Sequence, residues 1–434
     1  MPERVLHMYL YLWIVFAGFI VLTALPLFSS EKRTRWKIGQ FIAVTSSVLL
    51  AIFAIEVFYI PPLPAIIFVV IVSFLADRST YTKTGMAVAG IFFLLIAGGV
   101  YYIYHDDPEY VQNYINNNPE LASMHLSVDG NTIISQEGDV KRPLASTVKT
   151  ILAIEYANQV VGGDIDPEEL IPLAELDKFY LANTDGGAHP AWLEEMSASG
   201  QISNNRVPLH EVAKGMIMFS SNANTDFLLE KLGAESINNV LETLELEQHD
   251  PVYPLVSALL IPEYLDHEHN GSLSNRELES MLLDINLEEY RELAWEIHYE
   301  LKEGEPDFFD GTVSVPMELQ NIWSDRLPNA SVEDYAKVLS AISDDTATVP
   351  GGEEILRDLM EWPMELHASN REMYKHFGAK GGSTAFVLNQ ALYVEDHDGK
   401  ELELIIFTEG FSTIEQMKMS RNMNSYLRKV LNEN

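Results

Sequence analysis

Cysteine is absent from the 434 residues. Its absence excludes disulfides, zinc–thiolate sites and a cysteine nucleophile. No His-Glu-x-x-His occurs either, so a zinc peptidase of that type has no support. Basic residues are scarce, with 28 Lys+Arg against 64 Asp+Glu, and the shortage is uneven. Up to His105 there are seven basic residues (Arg4, Lys32, Arg33, Arg35, Lys37, Arg78, Lys83) and four acidic ones (Glu3, Glu31, Glu56, Asp77). Beyond His105, 21 basic residues face 60 acidic ones. Such a surface repels nucleic acid and anionic lipid. Solubility in a salty or alkaline medium would account for it.

What is present first is apolar. Hydrophobic residues make up 47% of the chain and crowd into the first hundred or so positions. Met8–Phe28, Ile38–Ile60, Leu63–Ala76 and Gly85–Tyr104 read as four membrane spans, the third short. Lys32, Arg33, Arg35 and Lys37 lie between the first two, Arg78 and Lys83 between the last two, and the middle loop has no basic residue. The positive-inside rule makes the first and third loops cytoplasmic, with both termini outside. Glu56 within a span belongs near the outer interface or in the bundle interior. The expected division is therefore a transmembrane region, residues 1–105, and an outer domain, residues 106–434.

In the outer domain, Leu121–Val128 and Thr132–Gln136 read as strands around the hairpin signal Asp129-Gly130-Asn131. Pro143–Ala157 starts a buried helix, which Gly162-Gly163 ends. Leu273–Ala341 is rich in Leu and Glu and reads as helical. Strands return at Ala385–Val394 and Glu401–Thr408, and Ile414–Val430 is an amphipathic helix. Strands at both ends with helices between predict one α/β (α+β) sheet built from the two ends of the domain around a helical insertion.

Three short patterns carry chemistry. Ser146 and Lys149 are three residues apart, hence one turn apart on a helix. A lysine amine in an apolar pocket sheds its proton and can serve as base to a serine hydroxyl. The spacing alone is not selective, because Ser29 and Lys32 share it at the end of an apolar run. Ser220-x-Asn222 is a polar turn framed by the apolar runs Val212–Phe219 and Phe227-Leu228-Leu229. Ser203/Asn205 and Ser236/Asn238 repeat the spacing without the framing. Lys380-Gly381-Gly382-Ser383-Thr384 leads into a strand. His189 ends the loop Thr184–His189 and reads as a structural or surface histidine, or one that lines a pocket mouth. Asp266–Glu277 nearly fits a calcium loop, although its third position is Glu268 where Asp or Asn is usual.

In order and context these three patterns resemble the penicillin-recognising serine hydrolases, the class A β-lactamases and D-Ala-D-Ala peptidases. The resemblance runs from about Leu121 to the C-terminus. It implies an antiparallel sheet flanked by helices plus an all-helical subdomain, and no cofactor. Ser146 would attack a carbonyl, Lys149 would take its proton, Ser220 would relay a proton to the leaving nitrogen, and Asn222 would hold the substrate amide. Lys380 would supply positive charge for the substrate carboxylate and lower the pKa of the Ser220–Lys149 network. The Ser146 and Ser383 N–H groups would form the oxyanion hole. Substrates would be a β-lactam, a D-alanyl cell-wall peptide or a related amide or ester, met outside a bacterial cell membrane. Two departures stand out. Gly381 replaces the family's Thr or Ser after the strand lysine, leaving Ser383 or Thr384 to hold the carboxylate, with Gly382 beside them among the substrate-binding residues. The segment Tyr253–Leu260 has no carboxylate to activate a deacylating water, and Glu263 is the nearest acid. The second departure favours a peptidase, an esterase or a penicillin-binding membrane sensor over an efficient β-lactamase.

Overall fold

A computed structural model describes residues 21, 35–58, 62–77, 83–182, 184–304, 306–309, 311, 313 and 315–433. The chain divides into two compact units, Met1–His105 and Asp106–Asn434.

In the first unit, helices α1 (Arg35–Phe58), α2 (Pro62–Ala76) and α3 (Lys83–Tyr104) fall on the second, third and fourth apolar segments. The first segment, Met8–Phe28, lies outside the described residues apart from Val21. Proline opens α2, where a missing N–H costs nothing. With 15 residues, α2 is shorter than the roughly 20 needed to span a bilayer, and α1 carries Gln40, Thr45, Ser46 and Ser47. Among the described residues no helix is long and apolar enough to cross a membrane. The four-span expectation is therefore not supported by these helices.

The second unit is built on a five-stranded antiparallel sheet. Strands β1 (Ala122–Val128) and β2 (Asn131–Gln136) form the expected hairpin, with Asp129 and Gly130 both at positive φ as a tight two-residue turn requires. Four strands make small two-stranded pairs: β3 (Arg142–Pro143) with β6 (Asn329–Ala330), and β4 (Leu170–Pro172) with β5 (Arg206–Pro208). At the C-terminus, β7 (Tyr374–Ser383), β8 (Leu388–Asp396) and β9 (Glu401–Thr408) run as a meander. The sheet order is β2-β1-β9-β8-β7. Seven registered pairs, from Ala122↔Thr408 to Val128↔Leu402, join the two ends of the unit.

Alternation along the strands explains why both sheet faces are covered. On β9, Leu402, Leu404 and Ile406 face a core with Met124 and Leu126 of β1, completed by α4 (Tyr110–Asn117) and the C-terminal helix Thr413–Glu433. Ile405 and Phe407 point the other way, into the main core with α5 (Lys149–Gly162) and the helix Val332–Ser343. A third core belongs to an all-helical region with helices at Ile261–Glu268, Asn275–Asp284, Leu287–Glu303 and Met317–Asp325. Each buried Leu, Ile or Val contributes about 1.5–3 kcal/mol.

Two buried polar side chains anchor the chain just ahead of Ser146. Arg142 is almost wholly buried. It donates to Ser123 Oγ (2.8 Å), to the Glu120 and Pro119 carbonyls (2.9 and 2.7 Å) and to Glu409. Asn389 on β8 donates to the Pro143 carbonyl (2.7 Å) and accepts from the Thr408 N–H (2.9 Å). Breaking either set would strand buried polar groups at about 1–3 kcal/mol each.

Candidate active site

Ser146 lies in a 3-10 turn, Ala145–Val148, that runs directly into α5. In such a turn positions i and i+3 eclipse, which sets Ser146 above Lys149 as its spacing suggested. Ile151, Leu152 and Ile154 are fully buried and fix α5 in the main core. Ala145, one residue before Ser146, has φ 47°. A non-glycine residue held there is strained.

The Lys149 side chain is 0% exposed. Its Nζ donates to the Ser220 carbonyl (2.7 Å) and to Asn222 Oδ1 (2.8 Å), and lies 3.3 Å from Ser220 Oγ. From the sheet, Lys380 of β7 is 3% exposed and donates to Ser220 Oγ (3.0 Å) and the Gly381 carbonyl (3.0 Å). One serine hydroxyl thus sits between two buried amines. Among the described residues, no hydrogen bond engages the Ser146 hydroxyl.

The turn carrying Ser220 and Asn222 is built to be there. A π-turn, Gly215–Phe219, ends at Ser220, whose φ is 68°. Ser221 caps α6 (Asn222–Leu232), its Oγ accepting from the Asn224 N–H (3.2 Å). A Cβ at Gly215 would run into Asn224 Nδ2 and Trp192 Nε1. His189 is buried, lies 2.9 Å from Ser221 Oγ through Nδ1, and packs on Tyr180 and Trp192. Burial lowers its pKa. It therefore supports the turn and does not line a mouth.

Glycine at 382 brings β7 onto the turn that carries Ser146. A Cβ there would collide with the Leu144 carbonyl oxygen and with Thr147 Oγ1 and N (2.7 and 2.8 Å). Ser383, the next residue, is exposed at the strand end. Thr384 is otherwise engaged: its hydroxyl is 2.7 Å from Ser324 Oγ and accepts from the Phe386 N–H (3.0 Å). Of the two hydroxyls considered to replace the one missing at Gly381, only that of Ser383 makes no hydrogen bond among the described residues.

Burial governs the electrostatics. Desolvation, then repulsion by Lys380, pushes Lys149 well below the usual lysine pKa, against opposing pulls from Asp226 and Asp185. Desolvation lowers Lys380 to about 7. Asp226 was not singled out from sequence. It lies on α6, four residues after Asn222, 1% exposed, and desolvation raises it to about 7. An acid placed between Ala223 and Phe227-Leu228-Leu229 was its only signal.

The segment Tyr253–Leu260 packs Ser257 against α6, its Oγ 3.4 Å from Asp226 Oδ2. Glu263 lies beyond that segment, in the first turn of the helix Ile261–Glu268. The Asp266–Glu277 loop is a helix start. Glu277 forms a capping box with Ser274, and Asp266 Oδ1 accepts from the Leu273 N–H (2.9 Å). Among the described residues no group of three His, Cys, Asp or Glu could hold a metal ion.

Residues 108–427 match the model of the beta-lactamase enzyme family. No curated protein matches the chain. Among solved structures, it is similar to a beta-lactamase from Sphaerobacter thermophilus DSM 20745, with 15% identity over 74% of this chain and 97% of that one and a TM-score of 0.44. A beta-lactamase from Chitinophaga pinensis DSM 2588 is similar at 13% identity over 74% and 99%, TM-score 0.44. The third is PBP-A, at 15% over 75% and 96%, TM-score 0.42.

The contact at Gly382 makes a prediction. In Gly382→Ala, β7 must draw back from the 144–147 turn. Covalent labelling of Ser146 by a fluorescent penicillin or a fluorophosphonate is expected to slow about 100-fold, the scale of a 1 Å misplacement. The circular dichroism melt should stay close to that of the wild type. Unchanged labelling would show that the close approach does not matter.

Proposed function

Since this chain belongs to the beta-lactamase enzyme family, we propose that it is a serine hydrolase that transfers an acyl group to water through Ser146. The observation that carries this reading is the convergence of Lys149 and Lys380 Nζ on Ser220 Oγ, at 3.3 and 3.0 Å. In this reading Lys149 takes the proton of Ser146 as Oγ attacks a carbonyl. Ser220, between the two amines, passes a proton to the leaving nitrogen. Asn222 holds the substrate amide, and the Ser146 and Ser383 N–H groups receive the developing oxyanion. Lys380 meets the substrate carboxylate with the Ser383 hydroxyl beside it. The substrate class is a β-lactam, a D-alanyl peptide or a related amide or ester.

A second reading has a specific observation behind it. The residue that the 253–260 segment packs against α6 is Ser257, not a carboxylate. Without a base for the second step an acyl-enzyme is long-lived, as a penicillin-binding sensor or a slow peptidase needs.

Wild type and Ser146→Ala are compared with a fluorescent penicillin and a chromogenic β-lactam. We expect covalent labelling that is lost in the variant. Labelling without steady hydrolysis identifies a peptidase or sensor; rapid turnover lost in the variant identifies a β-lactamase. Neither labelling nor turnover rejects β-lactam recognition, and an ester-substrate screen then separates an esterase from an inactive scaffold.

Lys380 gives the pH dependence. With its pKa lowered to about 7, its positive charge is present below that pH and lost above it. KM for a carboxylate-bearing β-lactam is expected to rise about tenfold from pH 6 to pH 8, as the charged fraction falls. Lys380→Arg, always charged, should flatten the dependence. A wild-type KM independent of pH would remove Lys380 from carboxylate binding.

We also propose that the first unit anchors the catalytic unit on the outer face of a bacterial cell membrane. The support is the four apolar segments and, of the three loops between them, basic residues in the first and third and none in the second. Carbonate extraction should leave the protein in the membrane pellet, and protease added to intact spheroplasts should digest the second unit. Release by carbonate would overturn the anchor.

A further inference from the structure

Asp226 is a buried acid that the acyl-transfer steps do not use. It sits on α6 one turn beyond Asn222, whose Oδ1 takes a hydrogen bond from Lys149. Residues four apart share a helix face, so the carboxylate lies beneath the site of the two lysines. Ser257 is its donor, through Oγ at 3.4 Å from Oδ2 and through its backbone N–H, and among the described residues Oδ1 is buried with no hydrogen-bond partner.

The groups around it leave one cation to balance it. From the helix Leu287–Glu303, His298 approaches with Nδ1 3.9 Å from Asp226 Oδ2. Burial lowers His298 to about 4, so it is neutral at pH 7. Glu230, one turn further along α6, faces His298 Nε2 (3.4 Å) and Lys302 (2.5 Å), so the Lys302 charge is matched there. From α5 comes Lys149, and from β7 Lys380, which repels Lys149. Asp185, ahead of the helix Ala188–Ala198, also pulls on Lys149, but it is only partly buried and more screened. An unpaired buried carboxylate and an unpaired buried ammonium are each costly. Here the influence is mutual: Asp226 raises Lys149 against desolvation, and Lys149 pulls Asp226 down against the burial that raises it to about 7.

We propose that Asp226 is a positioning residue: its carboxylate is the buried counter-charge that holds a proton on Lys149 against burial and against Lys380. Its consequence for catalysis rests on the acyl-transfer reading, because only there is Lys149 the base. The Asp226 charge sets the pH above which the amine is free to accept the Ser146 proton. The helical region behind it, through Ser257 and His298, supplies a neutral wall that keeps the pair dry.

The test is Asp226→Asn, which keeps the shape and can still accept from Ser257. Full-length protein labelled with ε-13C lysine is titrated by NMR, and the Lys149 signal is identified by its loss in Lys149→Met. In Asp226→Asn the Lys149 midpoint is expected to move to lower pH by about one unit or more, the usual effect of losing a nearby opposite charge. A midpoint that is unmoved, or that moves to higher pH, overturns the proposal. If Asp226→Asn does not fold, Ser257→Ala replaces it. Loss of the hydroxyl makes the Asp226 charge harder to hold and should move the midpoint the same way; no movement overturns the proposal. The titration needs no substrate. A shifted midpoint in a protein that neither penicillin nor any ester substrate acylates would sink the acyl-transfer reading and leave the counter-charge standing. If penicillin does label, the acid limb of the labelling rate should follow the midpoint.

Discussion

Two lysine amines buried against one serine hydroxyl are the constraint on which the second unit depends. Moving an ammonium out of water costs several kcal/mol even after relaxation, and here two must be accommodated within reach of Ser220. The arrangement holds because each amine keeps hydrogen-bond acceptors: the Ser220 carbonyl and Asn222 Oδ1 for Lys149, the Gly381 carbonyl for Lys380. Deprotonation is then the cheaper outcome for at least one of them. In the proposed reading, this lowered proton affinity is what lets Lys149 serve as a base.

Strain gathers at the same place. Ala145 and Ser220 both occupy the left-handed region without being glycine, and both border the reacting groups. Such residues cost of order 1–3 kcal/mol each and persist only where their surroundings over-determine them. The surroundings here are specific. Arg142 and Asn389 tie down the chain before Ser146. Ser221 and His189 hold the turn around Ser220. Gly382 lets the sheet close on both. The sheet, the main core and the helical region therefore meet at the site, and none of the three could supply it alone.

Much of this could be read from the residues because each pattern had a physical frame. Ser220-Ser221-Asn222 between two apolar runs had to be a tight turn between buried helices, and it is. Asp129-Gly130 marked the hairpin, and the runs Ala385–Val394 and Glu401–Thr408 marked β8 and β9. Strand β7 (Tyr374–Ser383) was not read as a strand: Lys380 sits near the end of its own strand and not at the start of the next. What escaped reading depends on contacts made across the fold. Asp226 is an ordinary acid until Ser257 and His298, 31 and 72 positions away, close over it. Thr384 and Ser383 were equal candidates from sequence, and only the bond to Ser324 separates them. His189 kept two readings until Ser221, Tyr180 and Trp192 enclosed it. The Asp266–Glu277 spacing could not tell a cation loop from a capping box, since both want acids and small polar residues at a helix start.

The acidity of the second unit bears on what its site can recognise. With 60 acidic residues beyond His105, the surface field opposes any approaching carboxylate. That field is screened over about 8–10 Å in physiological salt, whereas Lys380 is buried, where the dielectric is low and a single charge counts for far more. Recognition of an anionic substrate in this protein must therefore be short-range, made after entry. Its strength rests on the protonation of Lys380, whose proton affinity burial has already weakened. In the proposed reading, the same burial that lets Lys149 act as a base makes Lys380 a conditional anion receptor, so the two roles pull on pH in opposite directions. Asp226 beneath them is the group through which the fold can move one of these limits without the other.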